Sequence, residues 1–263
     1  MPIAQPARCP DPGLTFVCDT FDVLETSVSV GVGSRHLQII PIDCFPLTRF
    51  ADTSRFSTVE MGILNDRLDA ANEIRVTIPE PTNPSSAWLQ DLQRATPKPG
   101  WIWTDSAETV SQILCGYGLR DPTPAYPHDT QSADGSQPAD CGRQPADWPA
   151  PGLTMRVAKP VRVESSAADV WRLMTEAGNE LIVSLIDCYC ETGDYRAYTQ
   201  AWTLLEQFGD SLALTLPAPA SGLDWVGTLQ PGTEHAGWLW LDETVTLNTL
   251  LVQIGKASLE DRS

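Results

Sequence analysis

Two aspartates stand where an α/β protein would place chemistry. Asp43 follows the apolar run 37–42, and Asp187 follows the apolar run 181–186. Ligand sites in α/β sheets favour strand ends. An Asp in such a place can hold a metal ion or act as a general base. Either role needs a second carboxylate or a His, and no D-x-D or E-x-x-H spacing surrounds them. Turn capping, in which the carboxylate accepts from backbone amides, accounts for a lone Asp at that position equally well.

Tryptophan supplies the second pattern. Trp101 and Trp103, and again Trp238 and Trp240, lie two apart and so share one face of a strand. Exposed, such a pair anchors a partner; buried, it belongs to the core. Trp148 is a further candidate anchor, just before the C-terminal half. Asp105 and Asp242 follow the paired tryptophans and precede apolar stripes of helical period, where N-capping explains them. Cys188 and Cys190 also share a strand face and could offer two thiolates to a metal. No His or second Cys pair stands close enough in sequence to complete tetrahedral zinc. The Cys count is seven, an odd number without C-x-x-C, which favours reduced, buried thiols. His36, His128 and His235 match no nucleophile motif. No cofactor is implied.

The elements that would position these residues recur. Pro12-Gly13-Leu14-Thr15 returns as Pro151-Gly152-Leu153-Thr154, and Ile42-Asp43-Cys44 as Ile186-Asp187-Cys188. Thr77-Ile78-Pro79 returns as Thr215-Leu216-Pro217, and Gly100-Trp101-Ile102-Trp103 as Gly237-Trp238-Leu239-Trp240. The matches are colinear at offsets of 137 to 144. They predict a tandem duplication, with copies at 1–121 and 151–263 and a Pro-rich linker at 122–150. Periodicity predicts strands around 155–163, 181–189, 212–216 and 238–240, and helices over 195–208 and 245–254. Val170, Leu173, Met174 and Ala177 read as a helical stripe capped by Ser165-Ser166. Their counterpart, 24–36, alternates Val28, Val30 and Val32 and reads as extended. Each copy is expected to be a small two-layer α/β sandwich, and the pair to pack about a pseudo-two-fold axis.

Charge bounds the function. The chain of 263 residues carries 34 acidic against 17 basic residues, a net charge of −17. The excess is spread through both copies, −6 over 1–122 and −8 over 151–263. Such a field repels phosphate backbones and favours basic partners. Residues 1–12 lack the apolar core of a secretory signal, and no apolar run is long enough to cross a bilayer. The expectation is a cytoplasmic, non-enzymatic interaction module (chaperone, adaptor, inhibitor or assembly component) that steers to a basic protein or ribonucleoprotein surface. It would act as a fused monomer or within a larger assembly. Two alternatives stand beside it: a nucleic-acid-mimicking inhibitor, and a metal-dependent enzyme using Asp43 or Asp187.

Overall fold

Alternating buried residues mark many of the strands, as over Arg35–Pro41, Val170–Thr175 and Glu180–Leu185. In a computed structural model, which describes residues 5–42, 45–46, 55–85, 87–92, 94, 96–105, 108–121, 150–161, 168–190, 194–209, 212–219 and 223–259, the N-terminal half runs β1 (Gly13–Val17), β2 (Thr20–Val23), β3 (Val28–Val32), β4 (Arg35–Pro41), β5 (Phe45–Pro46), α1 (Thr58–Asp69), β6 (Ile74–Pro79), α2 (Trp88–Asp91), β7 (Lys98–Thr104), α3 (Val110–Gly116) and β8 (Arg120–Asp121). The C-terminal half runs β9 (Gly152–Val161), β10 (Val170–Thr175), β11 (Glu180–Leu185), α4 (Tyr195–Gln207), β12 (Ala213–Pro217), a 3-10 turn (Asp224–Thr228), β13 (Glu234–Trp240) and α5 (Leu247–Gln253). The linker, apart from its last residue, and Asp43, Cys44 and Trp148 lie outside the described residues.

The architecture is mixed α/β, dominated by one large sheet with few helices. Its strands follow the order β10-β11-β13-β12-β9-β1-β6-β7-β4-β3-β2. The sheet is not one flat layer. β9 pairs with β12 over residues 152–156, and then with β10 over residues 157–161. The pairings β9–β12–β13–β11–β10–β9 therefore close on themselves, as a strongly twisted sheet does when its end strand bends back. In the N-terminal half the same bend is divided between β1 and β2, separated by Cys18 and Asp19 alone, with β2 pairing to β3. Strands β7 and β13 each pair parallel on one edge and antiparallel on the other. Lys98–Gly100 runs parallel to β4 while Trp101–Thr104 runs antiparallel to β6.

The halves meet where β1 and β9 pair antiparallel: Gly13 with Thr154, Leu14 with Leu153, Thr15 with Gly152. Leu14 and Leu153 are fully buried in one apolar cluster that runs through both halves. α2 packs near the 3-10 turn across that junction. At the junction the backbones leave no room for a side chain. A Cβ on Gly152 would lie 2.7 Å from the Leu216 carbonyl oxygen, and one on Gly13 would lie 2.6 Å from that of Ile78. Gly152→Ala must push β9 off β12. It is expected to lower stability by about 1–3 kcal/mol in urea unfolding; a neutral result would mean that this seam yields freely.

The helix expected over 165–179 is not formed over its described residues, 168–179. Residues 170–175 are strand β10, with Trp171, Leu173 and Thr175 buried and the residues between them half-exposed. The ring of Trp171 and the hydroxyl of Thr175 complete a period of two that Val170, Leu173 and Met174 conceal. β10 thus matches β3, where Val28, Val30 and Val32 are buried, so the two stretches do not differ in kind. Ser165 and Ser166, the expected cap, lie outside the described residues. Helices α1 and α3 are closed at their N-termini by capping boxes, Ser57 with Glu60 and Thr109 with Gln112.

Candidate functional site

The paired tryptophans form the underside of the sheet. Trp103 donates its indole N–H to Thr77 Oγ1 at 3.1 Å, and Thr77 shares a 3.0 Å hydrogen bond with Thr15. Trp240 donates to Thr215 Oγ1 at 2.9 Å, and Thr215 bonds Thr154 at 2.9 Å. All four tryptophan side chains at 101, 103, 238 and 240 are at most 2% exposed. Trp101 and Trp103 pack with Ile42, and Trp238 and Trp240 with Ala213, Cys9 and Ile186. The segment before β1 reaches across to the C-terminal half to do this. Cys9 N–H donates to the Glu243 carbonyl at 2.8 Å, and Gln5 Oε1 accepts from the hydroxyls of Thr246 and Thr249. As placed, these rings offer no surface to a partner.

Asp105 and Asp242 do not cap the helices that follow them. Asp105 accepts from the backbone and side-chain amides of Asn72, at 2.9 and 2.6 Å. Asp242 closes a turn by accepting from the amides of Thr244 and Val245. The caps are Thr109 and Thr246, a few residues later. Asp187 is exposed, in the turn after β11, with a positive φ of 52°. Asp tolerates that left-handed conformation better than most side chains. Among the described residues no group of three or more His, Cys, Asp or Glu side chains is arranged to hold a metal ion. His235 is hydrogen-bonded to Thr233, and His128 lies outside the described residues.

Two further groupings emerge, the first where α4 meets β10. Trp171, Tyr198 and Trp202 stack, with Trp171 and Tyr198 centroids 5.3 Å apart and their planes 6° from parallel. Tyr198 and Trp202, four apart on a helix, were legible as a stripe; Trp171 was hidden by the expected helix. Cys188, in the same large apolar cluster, and Cys190, packed against it, carry free thiols. Interaction with the Cys190 thiol, with burial adding to it, pushes the Cys188 thiol up, and the same interaction holds the Cys190 thiol down. Asp169 Oδ2 accepts from the Cys190 amide at 3.1 Å. Nothing in the sequence singled out Asp169, since its role comes from a carboxylate reaching across 21 residues of chain.

No protein-family model matches this chain, and no curated protein matches it in sequence. The exposed rings are therefore read on geometry alone. Tyr195 is 65% exposed and Tyr117 53% exposed. Tyr195 rims a shallow, open depression along α4, shared with Arg196, Thr199, Gln200, Thr203 and Leu204. One face of one helix makes that depression, so it suits contact with another surface better than enclosure of a small molecule. No helix among the described residues is long and apolar enough to cross a membrane.

Proposed function

We propose that the chain is a non-enzymatic, acidic protein-interaction module, made by tandem duplication of one domain and acting as a fused pseudo-dimer. The observation that carries this reading is the net charge of −17, drawn from both copies. A field of that sign and spread accelerates encounter with a basic protein or ribonucleoprotein surface and disfavours nucleic acid itself. The pairings at the junction support the pseudo-dimer. Exchanging each residue for its repeat partner turns the pair Gly13–Thr154 into Gly152–Thr15 and returns Leu14–Leu153 to itself. The strand order and the Trp-Thr-Thr chains exchange in the same way. An isologous dimer contact has this property, and a pseudo-two-fold axis through Leu14 and Leu153 would produce it.

With the four paired tryptophans buried, aromatic anchoring falls to exposed rings such as Tyr195 and Tyr117. The test is capture of a basic partner at low salt with elution at high salt, followed by association kinetics. The association rate is expected to fall about tenfold or more as salt rises from tens of millimolar to about 0.5 M. A rate indifferent to salt would remove electrostatic steering from the account.

A further inference from the structure

We propose that Cys188 and Cys190 form a two-coordinate site for one soft monovalent cation, Cu(I) or its analogue Ag(I), held between their sulfurs. Thiolates select such ions over harder ones, and a digonal ion needs two ligands rather than the three or four that zinc requires. The segment that carries the thiols is held extended: Tyr189 exchanges two backbone hydrogen bonds with Ser258, at 3.0 and 2.9 Å. Residues 188 and 190 therefore point to the same face, and the Asp169 carboxylate that holds the Cys190 amide at 3.1 Å lies beside them.

The same extension favours an ion over a disulfide. Alternate residues on a strand lie about 6.6–6.8 Å apart at Cα, at the outer limit of disulfide geometry. An ion between the sulfurs lets them stay apart. The surroundings favour a cation as well. Asp169 bears on both thiols and Asp194 bears on Cys190. Asp169 Oδ1 is buried and makes no hydrogen bond, a state that positive charge nearby relieves. Cys188 is buried and closes one side, while Cys190 is partly exposed and gives the entry path. Binding is an exchange without redox change: each thiol releases one proton, and the ion forms one bond to each sulfur. The corresponding positions of the N-terminal copy are Cys44 and Pro46, so one site per chain is expected.

The test uses the full reduced chain under argon, competing for Cu(I) against the chromogenic chelator bicinchoninate. The parent protein is expected to withdraw one equivalent, and X-ray absorption of the loaded protein to show two sulfur neighbours. Cys190→Ser, a partly exposed position, is expected to lose that equivalent while keeping the parent near-ultraviolet circular dichroism. Cys115→Ser is expected to keep the equivalent. Asp169→Asn retains an acceptor for the Cys190 amide but deletes the charge, and should weaken retention about 10-fold. Full retention by Cys190→Ser, or a copper site with nitrogen or a third sulfur, would overturn the assignment.

Discussion

Arg120→Ala is expected to destabilise the protein by about 3–5 kcal/mol, as removal of one member of a buried ion pair does. Arg120 and Glu60 are each 5% exposed. The Arg120 guanidinium donates to both Glu60 oxygens, and donates to the Arg55 carbonyl at 2.6 Å. It also lies over the Phe56 ring, 5.4 Å from its centroid. Glu60 meanwhile completes the α1 capping box by accepting from Ser57 N–H at 2.6 Å. Removing Arg120 strands a carboxylate in the interior and loosens the start of α1 together. The C-terminal half shows that the same packing tolerates loss of both charges. At the offset of 137, Glu60 is matched by Ala197, Arg120 by Ala257 and Leu64 by Ala201. The rings of Trp171, Tyr198 and Trp202 stack beside that α4 face instead. Apolar replacement of both partners with similar volume, as in Glu60→Leu with Arg120→Met, is therefore expected to restore most of the loss. Urea unfolding of the two variants decides this. A single variant within about 1 kcal/mol of the parent, the usual worth of a surface pair, would mean that water reaches the ion pair.

Acid adds an independent reading. Burial alone would raise the Glu60 carboxyl, but the hydrogen bonds from Arg120 and Ser57 and the charge of Arg120 together hold it below its ordinary value. The unfolded chain then binds the proton more readily than the folded one. The stabilisation is present above the unfolded carboxylate pKa and fades as pH falls through the folded one.

Much of the C-terminal half was legible in its apolar periods. Strands β11, β12 and β13 and helices α4 and α5 fall where their apolar periods place them. The exception is instructive. β10 buries Trp171, Leu173 and Thr175, but one of these is polar, and the apolar Val170 and Met174 between them face partly outward. Apolar identity alone then mimics a helix, and the alternation of Val28, Val30 and Val32 at the equivalent place was the better guide. The closed pairing circuits were not legible, because the bend in β9 changes its partner without changing its alternation. Paired tryptophans announced importance but not exposure. Their burial comes from an underside layer assembled from distant threonines and, in one case, from Cys9. Glu80 left a trace that was available: Thr77-Ile78-Pro79-Glu80-Pro81 carries a charge where the matching run Thr215-Leu216-Pro217-Ala218-Pro219 has Ala218.

That trace leads to the expected result at the junction. Glu80→Gln should stabilise the protein at pH 8 by about 2–3 kcal/mol and flatten its stability between pH 5 and 8. Glu80 follows β6, and its backbone N–H is held by the Pro12 carbonyl at 2.9 Å. Its side chain is 4% exposed. One oxygen accepts from the Arg156 N–H across the junction at 3.2 Å, and the other is buried without a hydrogen bond. Arg156 turns its guanidinium to the Pro81 and Thr82 carbonyls and, at 3.6 Å, to Glu176. Burial pushes the Glu80 carboxyl up to about 7 from 4.5; the Arg156 amide and charge oppose this, and Glu176 adds to it. Between those two values the folded state holds a proton that the unfolded state has lost. Stability therefore falls as pH rises through this window, and the full cost of the buried carboxylate is borne above it. A neutral amide keeps the acceptor for Arg156 N–H and removes the charge, so the variant should unfold at the same urea concentration at pH 5 and pH 8 while the parent unfolds earlier at pH 8. Parallel pH profiles for parent and variant would place the Glu80 carboxylate in contact with water, and the junction between the halves would then be open at that corner.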